Sequence, residues 1–442
     1  MNVARSLDQL QRDFVRDLSF DLAPTTTPAP TSSSWPKPLG KAALIGLVGE
    51  VVEKIDPTTE SDPAAILFQF LAMFGNLIGR TGHWTVEETR HFCNLFVAVV
   101  GDTAKGRKGT SYDRVLSLFR GIDDAWDKRI QSGLSSGEGL IWFVRDPIIE
   151  PVPIKDNGRI VRYEEMETDP GETDKRALIV ESEFARVLGV AERQGNTLSP
   201  IIRDAWDGKR LGTMTKTKAA KSTDPHVSII AHITSDELMR ALTDTAIANG
   251  FANRFLFICA RRSKVLPFGG SVVDWTEIRD RLRSAVEFAR RAGEIPMDAE
   301  TRDIWVNAYT ALSAGIGGLY GSITARSEAH VRRLACLYAL LDQSAYVRTE
   351  HLFAGLEAWR YCEDSCRSIF GETLGDPTAD EIMALLQKNP DGMTRTEIMQ
   401  HFQRHKKSEE IERALRTIQR IGKANSVKQE TGGRPTERWS AL

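Results

Sequence analysis

The chain has only five cysteines, Cys93, Cys259, Cys336, Cys362 and Cys366. An odd, scattered set excludes a disulfide framework and points to a reducing, cytoplasmic setting. Cys362 and Cys366 are spaced for one helix face but have no His or Cys cluster beside them, so a zinc site is not expected. There is no net basic charge, the formal value being −2, so nucleic acid is met through a local patch or not at all. A membrane-length apolar run is missing as well. The most apolar stretch, Ala64–Gly79, is short and carries Gln69 and Asn76, which suits a buried helix. Met1–Leu22 is charged throughout, so no signal peptide is expected. Internal repeats are absent.

What is present is a long, mixed chain of 442 residues, enough for two or three domains. Val3–Phe20 has helical spacing, and the Pro/Thr/Ser-rich Ala23–Pro38 reads as a linker. Leu39–Arg80 reads as helical. From Trp84 to Phe268, β-rich runs (Leu95–Val100, Ala177–Val180, Val227–His232, Phe255–Cys259) alternate with amphipathic helices, which predicts a sheet covered by helices. Asp274–Phe370 returns to helical periodicity. After a linker at Gly371–Thr378, the C-terminal residues read helix, turn, helix, long helix and short ribbon, the order of a winged helix. The expected division is therefore 1–38 arm and linker, 39–270 core, 271–372 helical lid and 378–442 winged helix.

The run NLFVAVV is a buried strand. It leads into GDTAKGRKGTS, residues Gly101–Ser111, and then an amphipathic helix to about Phe119. Strand, glycine-containing loop, lysine, hydroxyl and helix are what a phosphate needs. Glycines let amides approach, the helix N-terminus adds its dipole, lysine neutralises β/γ oxygens, and a hydroxyl ligates Mg²⁺. The usual spacing is shifted by one. Lys108 becomes the phosphate lysine and Thr110 the metal hydroxyl. Gly101, Gly106, Gly109 and Ser111 complete the loop, and Arg107 and Lys105 are extra phosphate contacts or face solvent. A P-loop NTPase core binding ATP and Mg²⁺ is the expectation.

Hydrolysis needs carboxylates. Glu181, ending the strand Ala177–Val180, takes the metal side, with Glu183 two residues on. Glu138, near the start of a helix after Ser135–Ser136–Gly137, polarises water or complements the helix dipole. His232 or Thr234, at the end of Val227–Thr234, is a γ-phosphate sensor, against the alternative of a satisfied core histidine. Arg254 in NGFANRF is a candidate arginine finger supplied across a subunit boundary, against the alternative of a structural ion pair. Lys209, Arg210, Lys216, Lys218 and Lys221, in a Thr/Lys-rich stretch before the sensor strand, suit sequence-blind contact with a phosphate backbone.

The order GDTAKGRKGTS, SSGEGL, ALIVESEFA, HITSDEL, NGFANRF, ITARSEAHVRRLACLYALLD and GGRPTERW resembles the YfjI-like P-loop proteins of prophages and plasmids, from about Leu39 to the C-terminus. That module often stands behind primase-polymerase domains. More distantly the chain is similar to the minichromosome-maintenance helicases of the AAA+ class. Arg326, ahead of a Glu-containing helix, resembles their lid sensor. The chain departs from them in Glu181, where they have Asp, and in the phosphate loop. The resemblance implies an AAA+/RecA-like α/β core with flanking helices and a motor function in mobile-element DNA replication. The expected protein is a homo-oligomeric ring, a hexamer among the options, acting on single-stranded or forked DNA. Any priming would come from a separate primase or replicase, and no membrane is involved. The alternative is a nucleotide-switched DNA-binding or adaptor protein with little hydrolysis, in replication initiation or phage defence. A small-molecule kinase is a third reading.

Overall fold

The computed structural model describes residues 35–101, 106–156, 158–214, 220–314, 318–371, 377–402, 405–420, 423–429 and 436–442. The expected arm at 3–20, Lys105, Lys216, Lys218 and residues 430–435 of the expected ribbon lie outside them. The centre is a five-stranded sheet of β1 (Phe96–Gly101), β2 (Ile130–Gln131), β3 (Arg176–Glu181), β4 (His226–Thr234) and β5 (Phe255–Cys259). The spatial order is β5-β1-β4-β3-β2, and every pairing is parallel. The near-continuous apolar runs of β1, β4 and β5 explain this, because a parallel sheet is buried on both faces. Every residue of β1 is buried.

Alternation divides the strands between two cores. Val97, Val99, Leu178 and Ile230 face one, and Phe96, Ala98, Val100, Ile179, Ile229 and Ala231 face the other. Parallel register aligns the strand ends. His232 lies opposite Val99 and Thr234 opposite Gly101, so both sit at the carboxyl edge beside the end of β1.

The first face is covered by α1 (Pro63–Ile78), by α2 (Lys108–Phe119) and by helices from later in the chain, including α3 (Ser327–Leu341) and α4 (Thr349–Phe370). Helices on both sides of residue 271 contribute to one buried cluster, so the compositional change there is not a break in packing. Proline at its first turn and the Asp62 carboxylate, accepting from the Ala64 amide at 3.0 Å, start α1. It is buried almost all round, and its two polar side chains are satisfied inside. Asn76 donates to the carbonyls of Ala177 (3.0 Å) and His226 (3.2 Å) and accepts from Trp126 Nε1 (2.9 Å). Among the described residues no helix is long and apolar enough to cross a membrane. The second face is covered by helices Gly137–Phe143, Phe184–Ala191 and Leu198–Trp206.

An antiparallel ribbon, Ile148–Asp156 with Arg159–Asp169, stands between the helix Gly137–Phe143 and β3, where no strands were expected. Pro151 and Pro153 argue against a strand in the sequence. They are tolerated because the ribbon has only two strands, each with a free edge. Its base is tied by Arg145 to Asp169 (2.9 Å). At the C-terminus, helices Pro377–Lys388, Arg395–His401 and Ser408–Arg420 share a separate small core with a three-stranded antiparallel sheet. Thr394 caps the middle helix through a reciprocal box with Glu397.

Candidate functional site

At the carboxyl edge β1 ends on Gly101, and the described chain resumes at Gly106, which is buried with the Ala260 carbonyl 3.3 Å from where a Cβ would stand. Arg107 follows in the left-handed region (φ 54°, ψ 27°), and α2 begins at Lys108. A non-glycine residue in that region needs external support. Glu60 supplies it, accepting from Arg107 Nε at 2.6 Å while also holding the Arg262 guanidinium. The Leu266 amide (2.6 Å) and these two arginines keep the Glu60 carboxyl down at about 2. Arg107 is thus turned onto Glu60, a structural partner, and not toward a phosphate as its loop position suggested.

No side chain caps α2. Ser111 N–H bonds the Arg107 carbonyl at 3.1 Å, but the amides of Gly109 and Thr110 have no acceptor among the described residues. A twelve-residue helix therefore presents open first-turn amides, with Lys108 at its first position. Thr110 is exposed, and a cavity of about 260 Å³ opens beside it, lined by Asp113, Arg114, Val272 and Trp275. Ser111 is excluded from ligand contact. It is fully buried, donating to the Lys108 carbonyl and accepting from Gln69 Nε2, both at 2.6 Å.

His232 is buried beneath this turn, with Nε2 3.1 Å from Gln69 Oε1 and the Tyr112 ring edge-on. Burial, then the Lys108 charge, lowers its pKa to about 4. Thr234 caps the next helix through a box with Glu237.

The carboxylates are placed differently from expectation. Glu181 is 3% exposed. Its Oε1 accepts from the amides of Gly133 (2.7 Å) and Leu134 (2.6 Å), and its Oε2 from Arg186 (3.0 Å). Its register partner is Ala231, which faces the second core, whereas His232 faces the first. Glu181 therefore braces the loop after β2, with Oε1 taken by two amides and Oε2 by Arg186. Glu183 is exposed at the start of the helix after β3. Glu138 is exposed in the first turn of its helix, where it accepts from Thr197 Oγ1 at 2.8 Å. These residues fit an anion at α2, while for Mg²⁺ they offer the Thr110 hydroxyl without the Glu181 carboxylate.

The remaining candidates lie at the opposite, amino edge. Arg254, immediately before β5, is 6% exposed and bonds Asp207 Oδ2 (2.9 Å) and the Gly250 carbonyl (2.5 Å). This is the structural ion pair of the two sequence readings. Arg326 donates to Asn253 Oδ1 (3.1 Å) and lies 3.8 Å from Asp207. Arg333, fully buried, donates to the carbonyls of Asn94 (2.7 Å) and Trp206 (2.8 Å) and stacks on the Trp206 ring. Burial, followed by Arg333 and Arg332, lowers the pKa of nearby His91 to about 4. A cavity of about 400 Å³ is lined by Asn253, Tyr309, Arg326, Glu328 and Arg332. Strand β1 alone separates the two edges by roughly 20 Å at about 3.3 Å per residue. Arg254 and Arg326 therefore lie at the other end of the sheet from Lys108 of the same chain.

Of the basic insertion, Lys209 is paired with Asp207 (3.4 Å), and Arg210 and Lys221 are exposed. Short strands Leu211–Gly212 and Lys221–Ser222 pair antiparallel on either side of 215–219, which lie outside the described residues. Gln69 and Asp207 were not foreseen as site residues. An amide, one of two in an apolar helix, was the sequence signal for the first. Compared with known proteins, the chain matches no family model and no curated relative.

Proposed function

We propose that this chain is a P-loop NTPase that binds ATP at the first turn of α2 and, as an AAA+-like assembly of identical subunits, acts on DNA. The observation that carries the reading is the buried strand β1 running to an uncapped helix, with Lys108 at its first position and open amides at Gly109 and Thr110. A triphosphate is the ligand that such a strand end, lysine and helix dipole recognise. Lys108 neutralises phosphate oxygens, and the Thr110 hydroxyl is the protein's ligand for Mg²⁺. When bound, the metal neutralises charge developing on the transferred phosphoryl group. Glu138 and Glu183, at the starts of two helices, are the carboxylates left to orient water.

Arg254 and Arg326 at the other edge meet a nucleotide only if a second copy presents one, which is a head-to-tail arrangement. The Arg254–Asp207 pair then opens on assembly. The antiparallel pair of Leu211–Gly212 with Lys221–Ser222 and the C-terminal helices with their antiparallel sheet, in winged-helix order, are the DNA-facing parts. Arg210 and Lys221 are exposed there.

One observation favours the second reading, a nucleotide-switched DNA-binding or adaptor protein. Glu181 and Arg254 are both locked in internal bonds, which lowers hydrolysis in the single chain.

The deciding experiment is ATP hydrolysis by wild type and Lys108→Ala, with and without single- and double-stranded DNA. DNA-stimulated turnover that vanishes in the variant is expected. ATP binding without turnover under every condition selects the adaptor. Tight ATP binding by Lys108→Ala overturns the site.

A further inference from the structure

The carbonyl of Ala65 decides the orientation of the buried Gln69 amide. It is an acceptor only, 2.9 Å from Gln69 Nε2, so that atom is the NH₂ and a flipped amide would set two oxygens against each other. The second N–H goes to Ser111 Oγ at 2.6 Å, and the Ser111 hydroxyl donates to the Lys108 carbonyl at 2.6 Å. Gln69 Oε1 is thereby left facing His232 Nε2 at 3.1 Å, and that nitrogen must carry the proton. Every donor in the chain His232, Gln69, Ser111, Lys108 points the same way.

Resting on the nucleotide reading above, we propose that Gln69 is a positioning residue of the phosphate site. It holds His232 as the Nε2–H tautomer and ties that ring to the first turn of α2. Two consequences follow. His232 in this tautomer has a lone pair on Nδ1 and no second N–H, and among the described residues its ring hydrogen-bonds through Nε2 alone. It offers an acceptor, suited to the attacking water, and not a donor to the γ-phosphate. In addition, movement of Lys108 on phosphate binding is felt at His232 through two side chains from different elements, α1 and α2.

The test has two readouts on the full chain. The first is the pair of ¹⁵N shifts of the His232 ring in the labelled wild type. A protonated Nε2 and bare Nδ1 are expected, and a proton on Nδ1 overturns the proposal. The second is ATP binding and steady-state turnover of wild type and Gln69→Met, a volume-conserving change. The variant is expected to keep nucleotide affinity and lose kcat by ~10²-fold, the scale of one misplaced proton-transfer group. A variant with wild-type kcat overturns the positioning role and leaves the nucleotide site standing. A wild type that binds no nucleotide overturns both. Should Gln69→Met not fold, the wild-type ring shifts decide.

Discussion

The two edges of the central sheet treat polar groups in opposite ways. At the amino edge, Arg254, Arg326 and Arg333 converge on Trp206 and Asp207, with the bonds of Arg254 and Arg333 made inside the chain. At the carboxyl edge the amides of Gly109 and Thr110 have no acceptor among the described residues, and the chain contributes a helix without an N-cap side-chain bond and a lysine. Charge that is enclosed and bonded holds a fold together. Amides at the carboxyl ends of parallel strands are where open sheets of this kind commonly bind ligands, which is why the nucleotide is proposed there. The same residue type therefore reads differently at each edge. Arg107, at the open edge, is drawn back onto Glu60 to support a left-handed turn.

The largest test of this contrast is Arg333→Ala. Removing a fully buried guanidinium leaves the Asn94 carbonyl without its Arg333 donor and the Trp206 carbonyl with only Asn94 Nδ2 at 3.4 Å, and with the lost packing on Trp206 is expected to cost about 3 kcal/mol, read by urea unfolding. Arg333→Met, which keeps the stem over Trp206, should recover part of it. A change within experimental scatter would show that the amino edge is not a structural centre. Next in size, Arg254→Ala is expected to cost about 2 kcal/mol, because Asp207 keeps Lys209 and Arg326 nearby when its main partner goes. An unchanged unfolding midpoint would mean that the pair is dispensable in the single chain and held in reserve for assembly.

Acid gives the finest grading. His226 begins β4, and His330 donates to the Asn253 carbonyl beside Arg254; burial is the first cause of a pKa of about 3 for each, down from 6.5. The folded chain keeps both neutral while the unfolded chain takes up protons. Their contribution is complete above pH 6.5 and falls as pH drops toward 3. Each should lower stability by about 1.4 kcal/mol per pH unit across that window. Urea titrations between neutrality and mild acid read the slope, and His330→Gln should flatten it. A flat wild-type profile would place both rings in contact with water.

Much of the frame was legible in the chain itself. Continuous apolar runs marked four of the five core strands, and the helical stretches at 39–80 and 274–370 were found where periodicity put them. Strand β2 has only two residues and left no periodic trace. The ribbon at 148–169 was hidden by its prolines and charges. The candidate site was legible as a loop and not as a geometry. Lys108 and Thr110 were proposed from an irregular spacing, and what the chain made legible is that a strand, glycines and a helix start follow one another there. Side-chain direction is not local. Whether Glu181 faces the loop or the far core depends on strand parity and on which amides lie across from it. Gln69 acquires meaning only because α1 packs across the end of α2. What the sequence determined by itself was the order of elements and the residue types at their ends, because propensity and burial act along the chain. Which arginines are locked, which amides stay open and which nitrogen of His232 carries its proton were decided by tertiary structure alone, since each depends on a partner that folding brings from far along the chain.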